Sequence, residues 1–362
     1  MKLFVAADFC PRKKVAALIE KGQGSDILAC WENELRTADF SIVNFETSVA
    51  PEGARKIRKR GPCLGCSPKA VELLAKAGFK GVSVANNHFY DYGEAGLRAS
   101  IDAFKANGLQ YVGAGADLQE AARPLILGDT AIIAACEREF SIAGRDHGGC
   151  NHLDPIDTAR QIKAAKEQCS KVIVISHAGL EGLDAPSPGL RKRLRFLVEC
   201  GADMVINHHQ HCPLGCEQYL GTRIFYGLGN FCFPSSHRED PSWYLGYALM
   251  IDTDDMSAQI LPYRQCAGGP ILEKLSPEEW EPEWERLCAL VADEALCERI
   301  FRQWVREMRP MKNFLPYRFK PLRMLYDRGW LPDFLSRRQK LCITDAMRCE
   351  SIHEACLDSL DK

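Results

Sequence analysis

The sequence lacks what would mark a membrane-spanning, fibrous or nucleic-acid-coating chain. No stretch of its 362 residues approaches the ~18 uninterrupted apolar residues of a membrane span. The apolar run Leu3–Ala7, ahead of Asp8, is too short for the hydrophobic part of a signal peptide, and no cleavage site follows it. The expected compartment is therefore the cytoplasm. An excess of one charge is missing too: 46 Lys+Arg stand against 48 Asp+Glu, a formal net charge of −2. That balance excludes bulk attraction to nucleic acid and leaves only local basic patches. There is no internal repeat and no low-complexity linker. With 46% hydrophobic and 26% charged residues the chain can bury a sizeable core, which excludes collagen-like, disordered and disulfide-miniprotein classes.

Cysteine, in contrast, is plentiful, at 17 residues. Most of them sit in periodic segments, where a reduced thiol behaves as a small buried hydrophobe. Cys63-x-x-Cys66 has the spacing of a zinc or redox pair, and Cys212-x-x-x-Cys216 nearly does. A four-thiolate zinc site needs the two pairs to converge, which nothing in the sequence requires.

Up to about residue 265, short Val/Ile-rich runs alternate with helical periodicity. Strands are expected at Leu3–Ala7, Phe40–Asn44, Gly81–Ala85, Gln110–Val112, Ala131–Ala135, Lys171–Ser176 and Asp203–Ile206. Helices are expected at Ile27–Thr37, Pro68–Ala77, Gly93–Asn107, Pro155–Gln168 and Gly189–Cys200. This is the pattern of an α/β protein with a largely parallel sheet. Hairpin-like strands follow at Arg223–Gly227, Tyr244–Asp252 and Ala258–Tyr263. From about Ser276 a Glu-rich, Trp-bearing run gives way to a basic stretch: Arg302 to Lys340 holds eleven Lys/Arg and three Asp/Glu. We read residues 1–270 as the main domain and 276–362 as a helical appendage docked by aromatics.

The chemistry lies in what ends the strands. The expected strands run into Asp8, Asn44-Phe45-Glu46, Asn86-Asn87-His88, His177 and Asn207-His208-His209-Gln210-His211. C-terminal ends of parallel strands share one edge, so these residues should surround one cleft. A carboxylate–imidazole–amide set suits Mn²⁺, Fe²⁺ or Zn²⁺ and is too nitrogen-rich for Ca²⁺ or Mg²⁺ alone. Taken singly, Asp8 or Asn44 reads as a cap or turn residue and His177 as a hydrogen-bonded core histidine. His209-x-His211 places two imidazoles on one side of an extended chain. Recurrence at one topological position carries the functional reading.

These stretches, with Ala85-Asn86-Asn87-His88-Phe89-Tyr90-Asp91-Tyr92-Gly93 and Tyr226-Gly227-Leu228-Gly229-Asn230-Phe231, come in the order of a known family. Over residues 1–235 the chain resembles the CapA capsule-synthesis (poly-γ-glutamate biosynthesis) family, a branch of the calcineurin-like metallophosphoesterases. The resemblance implies a four-layer α-β-β-α sandwich with mixed sheets and a two-metal site. It makes Glu46 the carboxylate bridging both metals, with Asp8 and His211 on one and Asn87, His177 and His209 on the other. His88 becomes the general acid, oriented by Asp91. The superfamily usually has His where this chain has Cys10. A Cys10 thiolate could bind Zn²⁺, or it stands aside and the first metal, left with Asp8, Glu46 and His211, is held more weakly.

Arg55-Lys56-Ile57-Arg58-Lys59-Arg60 puts five cations within six residues near the expected cleft. It is either a solvated loop or a clamp in which Arg58, Lys59 and Arg60 hold a phosphate or polyanion. Asn44 and Asn230 are further candidates for contact with substrate. Gly113-Ala114-Gly115 lacks the third glycine of a dinucleotide loop. The basic tail could extend the anion-binding surface, meet anionic lipid, or pair with the Glu-rich run of a second subunit. Two functions stay open: a two-metal hydrolase of a phosphoester or amide in an anionic or polymeric substrate, and a non-catalytic accessory protein of capsule synthesis. A thiol-based module at Cys63/Cys66 is a third.

Overall fold

A computed structural model describes residues 1–235, 240–308 and 336–359, with a few single positions between 321 and 330. His237 and most of the basic stretch from Arg302 to Lys340 lie outside the described residues. The chain first lays down four parallel strands, β1 (Lys2–Phe9), β2 (Phe40–Phe45), β3 (Gly81–Ser83) and β4 (Gln110–Val112). A second sheet follows: β5 (Leu125–Leu127), β6 (Thr130–Cys136), β7 (Lys171–His177), β8 (Met204–His208), β9 (Cys216–Tyr219) and β10 (Thr222–Phe225). Its order is β9-β10-β8-β7-β6-β5, parallel except for the two edge strands. The chain then returns to the first sheet with β11 (Asn230–Cys232), β12 (Leu245–Asp252), β13 (Ser257–Gln265) and β14 (Leu272–Lys274). Here β11 runs parallel to β1, while β12 and the strands beyond it run antiparallel.

The period-2 alternation of strands explains the layering. In the second sheet Ile132, Ala134, Ile173, Ile175, Met204 and Ile206 join the core of the first sheet. Their neighbours Ile133, Val172, Val174, Val205 and Ile224 face a separate core with helices. Helices α1 (Lys13–Glu20), α2 (Lys69–Ala77) and α3 (Gly93–Ala106) cover the first sheet; α4 (Pro155–Lys166) and α5 (Pro188–Glu199) cover the second. The result is the expected four-layer α-β-β-α arrangement with mixed sheets. The starts of α4 and α5 are set by Asp154 and Ser187 as side-chain caps, each followed by proline.

One expected element differs. Ile27–Thr37 is not one helix but two 3₁₀ turns, Ser25–Ile27 and Ala29–Trp31, followed by a helix at Glu32–Thr37. Tight turns of this kind serve as connectors between buried anchors, here Ile27, Leu28 and Trp31.

The described part of the tail forms α6 (Pro277–Ala292), α7 (Glu294–Met308), α8 (Arg337–Arg348) and α9 (Glu350–Asp358). Ser276 and Glu279 form a capping box at the start of α6. Trp280 and Leu287 share the main core, while Phe301, Val305 and Ala355 pack with Leu180 and Leu183. Among the described residues no helix is long and apolar enough to cross a membrane.

Candidate metal centre

The parallel registers bring the strand ends together. Asp8 lies opposite Asn44 on β2 and opposite Asn230 on β11, while His177 lies opposite His208. The β1 register shifts on either side of Asp8, an irregularity of the kind that re-aims a side chain beside a site. Among the described residues two groups could hold a metal ion: Asp8, Glu46 and His211, and Glu46, His177 and His209. Within each group the ligand atoms lie within 4.8 Å of one another. They share Glu46, as the resemblance implies.

Neighbouring side chains hold these ligands in place. The Asn44 amide nitrogen donates to Asp8 Oδ1 at 2.7 Å and faces His177 Nδ1 at 3.2 Å. His211 Nδ1 meets Asn230 Oδ1 at 3.0 Å, leaving Nε2 3.7 Å from Glu46 Oε1. His177 Nε2 lies 3.5 Å from Glu46 Oε1, 3.2 Å from Asn87 Oδ1 and 2.9 Å from His209 Nδ1. Such outer partners fix the ring orientation of metal-ligating histidines. Asn44 and Asn230, expected near substrate, are buried behind the ligands and do not line the cavity. His208 Nδ1 is 3.0 Å from Asp8 Oδ1, close enough for charge attraction but out of line for a hydrogen bond.

His209 and His211 do not lie in extended chain. Both have left-handed backbone, with φ of 100° and 60°, a conformation that costs a non-glycine residue of order 1–3 kcal/mol and persists where the surroundings impose it. The twist sends the two rings to different metal groups instead of one side.

The electrostatics fit a bound cation. Glu46 is fully buried and neither carboxylate oxygen has a hydrogen-bond partner; burial, then Asp8, pushes its carboxyl well above the usual range. An unpaired buried carboxylate is costly unless a cation meets it. Burial also raises Asp8, but His208 and His211 outweigh it and hold the group well below the ordinary value. Burial, then His209, pushes His177 well down, and neutral imidazole is the form that binds metal. Cys10 lies outside both groups, packed with Leu64, Phe233 and Trp243, and burial, then Glu46, pushes its thiol well up. Neither group contains a cysteine, so Cys63 and Cys66 hold no place in a metal group among the described residues. Cys63 Sγ instead faces the Ile57 carbonyl at 3.6 Å.

Next to the ligands, His88 Nδ1 meets Asp91 Oδ2 at 2.7 Å, and Asp91 Oδ1 takes Lys59 Nζ at 2.6 Å. Lys59 is buried and also donates to the Asn87 carbonyl at 2.8 Å. It is thus a fixed part of the His88 support, not a free clamp. Burial, then Lys59, lowers the His88 imidazole to about 4. Arg60 reaches the cavity wall, whereas Arg58 is exposed and does not line it.

A cavity of about 810 Å³ opens over Asn87, His88 and His209, and its far wall is the tail. Glu139 and Glu181 line it as well. Glu139 sits 3.9 Å from His209 Nε2 and is raised to about 8 by burial and then Asp345. Glu137 and Glu139 follow β6 directly, so their place at a strand end is the sequence signal that marks them too. Gly179, in the turn after β7, has φ of 113° and donates to Glu137 Oε2 at 3.1 Å. A Cβ there would sit 2.3 Å from Gln210 Nε2.

The family model for "Bacterial capsule synthesis protein PGA_cap" matches residues 2–235. "Capsule biosynthesis protein CapA" of Bacillus anthracis is 32% identical over 252 residues, covering 65% of this chain and 60% of the relative. "PGA biosynthesis protein CapA" of Bacillus subtilis is 29% identical over 233 residues, covering 62% and 61%. A "probable polyglutamine synthesis accessory protein" of Mycobacterium tuberculosis is 32% identical over 222 residues, covering 57% and 58%. The chain thus spans about three fifths of the length of these relatives. A putative 5'-nucleotidase of Staphylococcus aureus overlaps it in three dimensions with a TM-score of 0.42 and 12% identity, covering 79% of this chain and 58% of that one. An overlap this loose carries no functional weight.

Proposed function

Since the chain belongs to the bacterial capsule synthesis family PGA_cap, we propose that it is a metal-dependent hydrolase of a phosphoester or amide in an anionic or polymeric substrate. The observation that carries this reading is the shared Glu46, buried with two unpartnered oxygens between two ligand groups. Asp8, Glu46 and His211 would hold one ion, and Glu46, Asn87, His177 and His209 the other. The nitrogen-rich set suits Mn, Fe or Zn. When bound, such a pair supplies Lewis-acid charge and an activated water.

The rest follows from the chain's own groups. His88 faces the cavity with Nδ1 engaged by Asp91. It is therefore the protonated ring, favoured over the free enzyme's neutral form by an anionic substrate, that would pass a proton from its other nitrogen to the leaving group. Lys59 fixes Asp91, and through it the ring. Seventeen free thiols suit a reducing compartment, which supports the cytoplasm. The word "accessory" in the mycobacterial relative's name favours the alternative, a non-catalytic partner in polymer synthesis on the same metal-binding fold.

Elemental analysis of the purified protein beside Glu46→Ala tests the site. About two ions per wild-type chain, lost in the variant, supports the reading; essentially none after reconstitution sinks it. With metal present, absence of turnover on both a γ-glutamyl anilide and a phosphoester would favour the accessory role.

A further inference from the structure

The chamber over the ligands is only half built by the segment that matches the family. The opposite wall comes from beyond residue 235: Trp304 and Met308 of α7, and Arg337, Arg338, Leu341 and Asp345 of α8. Its docking is well tied. Glu137, buried at the end of β6, pairs with Arg193 at 2.5 Å and accepts from Ser351 Oγ at 2.7 Å. Glu350 takes the Arg138 amide at 3.0 Å and meets His152 at 2.9 Å, and Glu354 takes Ser187 Oγ at 2.7 Å.

Two features of this wall make poor sense as structure alone. Arg337 and Arg338 occupy the first turn of α8, the positive end of a helix, where cations are unfavourable. Among the described residues neither guanidinium has an ion-pair partner, and both are exposed on the chamber. Asp345 is only 2% exposed and lines the same chamber; Arg60 takes its Oδ2 at 3.2 Å, while Oδ1 has no partner. Local conflicts of this kind concentrate at functional positions.

We propose that Arg337, Arg338 and Asp345 form the substrate-recognition wall of the site. The guanidiniums take an oxyanion group of the substrate, carboxylate or phosphate, and Asp345 Oδ1 accepts an N–H or O–H from the same molecule. The tail is then part of the site, and it decides what the ligand end is offered. This rests on the hydrolase reading for the role of the chamber, although the wall itself can be tested without turnover.

The test is calorimetric binding of tri-γ-glutamate and of inorganic phosphate to the full chain, wild type beside the double variant Arg337→Ala/Arg338→Ala. Whichever probe binds identifies the oxyanion. Its Kd should rise about 10–100-fold in the double variant, the loss expected for hydrogen bonds to charged groups. Metal content and protease resistance of α8 and α9 should stay unchanged. Asp345→Asn should weaken tri-γ-glutamate, which has amide N–H groups, more than phosphate. Where a chromogenic substrate is turned over, the double variant should raise KM and spare kcat. Unchanged affinity in the double variant, or binding of neither probe to wild type, overturns the proposal. Metal and turnover in wild type, with variants indistinguishable from it, would remove the wall and leave the hydrolase. A chain without metal whose probe binding still depends on the two arginines would do the reverse.

Discussion

The two walls of the chamber are positioned by different means. The ligand end is set by β-ladders: Asp8 beside Asn44 and Asn230, His177 beside His208. The candidate ligands there are buried, and Asp8, His177 and His211 are each held from behind by an asparagine side chain. The tail wall combines two exposed arginines of α8 with buried side chains such as Asp345, and is joined to the sandwich by polar side-chain contacts and one small apolar cluster. Parallel pairing fixes the first, and losing it means losing the sheets. The second is held to the sandwich by side chains, through contacts such as Glu137 with Ser351, Glu350 with His152 and Glu354 with Ser187. On the proposed reading, the reacting end and the recognising end of the chamber are therefore built by different parts of the chain.

The largest effect should come from the ligand end. His88→Ala should cost about 10²–10⁴-fold in kcat, the usual contribution of a positioned acid or base, with metal content unchanged. If the metal leaves with the imidazole, His88 supports the ligands rather than the reaction.

Lys59→Met is next. Lys59 and Asp91 are 2% and 0% exposed, and breaking a buried pair from one side costs about 3–5 kcal/mol. The midpoint of urea unfolding should fall accordingly; a change under about 1 kcal/mol would mean Asp91 needs no cation.

The tail wall should respond to acid first. Burial raises the Glu350 carboxyl, but His152 and the Arg138 amide outweigh it and hold it below the ordinary glutamate value of 4.5. A depressed carboxyl contributes docking free energy above that value and loses it as pH falls through the folded-state pKa. Hydrogen exchange in α8 and α9 should therefore speed up in acid before the sandwich opens. Glu350→Gln should flatten the response, and an identical pH profile in the variant would contradict it. The smallest effect is expected at Cys63→Ser, where metal content should not change and stability should shift within about ±0.5 kcal/mol.

How far the sequence could be read follows the same division. That Asp8, Glu46, Asn87, His177, His209 and His211 would gather in one place was legible because parallel strands share an edge at their C-terminal ends; their roles as ligands come from the family resemblance alone. The α/β class was legible from Val/Ile runs alternating with helical periodicity, and the four-layer sandwich came from the family resemblance. The roles of Lys59, Asn44 and Asn230 were not, since burial behind a neighbour leaves no periodic trace. Nor was the left-handed backbone at His209 and His211, which arises from tertiary constraint. The wall was the least legible part, because nothing local in Arg337-Arg338 says which distant surface α8 will meet.

The order in which the chain is made adds a temporal dimension to the chamber. All the candidate ligands lie between residues 8 and 211, while the tail residues of the cavity wall begin at Trp304. At ribosomal rates of about 5–20 residues per second, the ligand groups leave the ribosome roughly ten seconds before that wall exists. Throughout that interval an incoming ion meets an open edge of the sandwich instead of a walled chamber. On the proposed reading, loading could then precede closure, and the wall would not also have to admit metals.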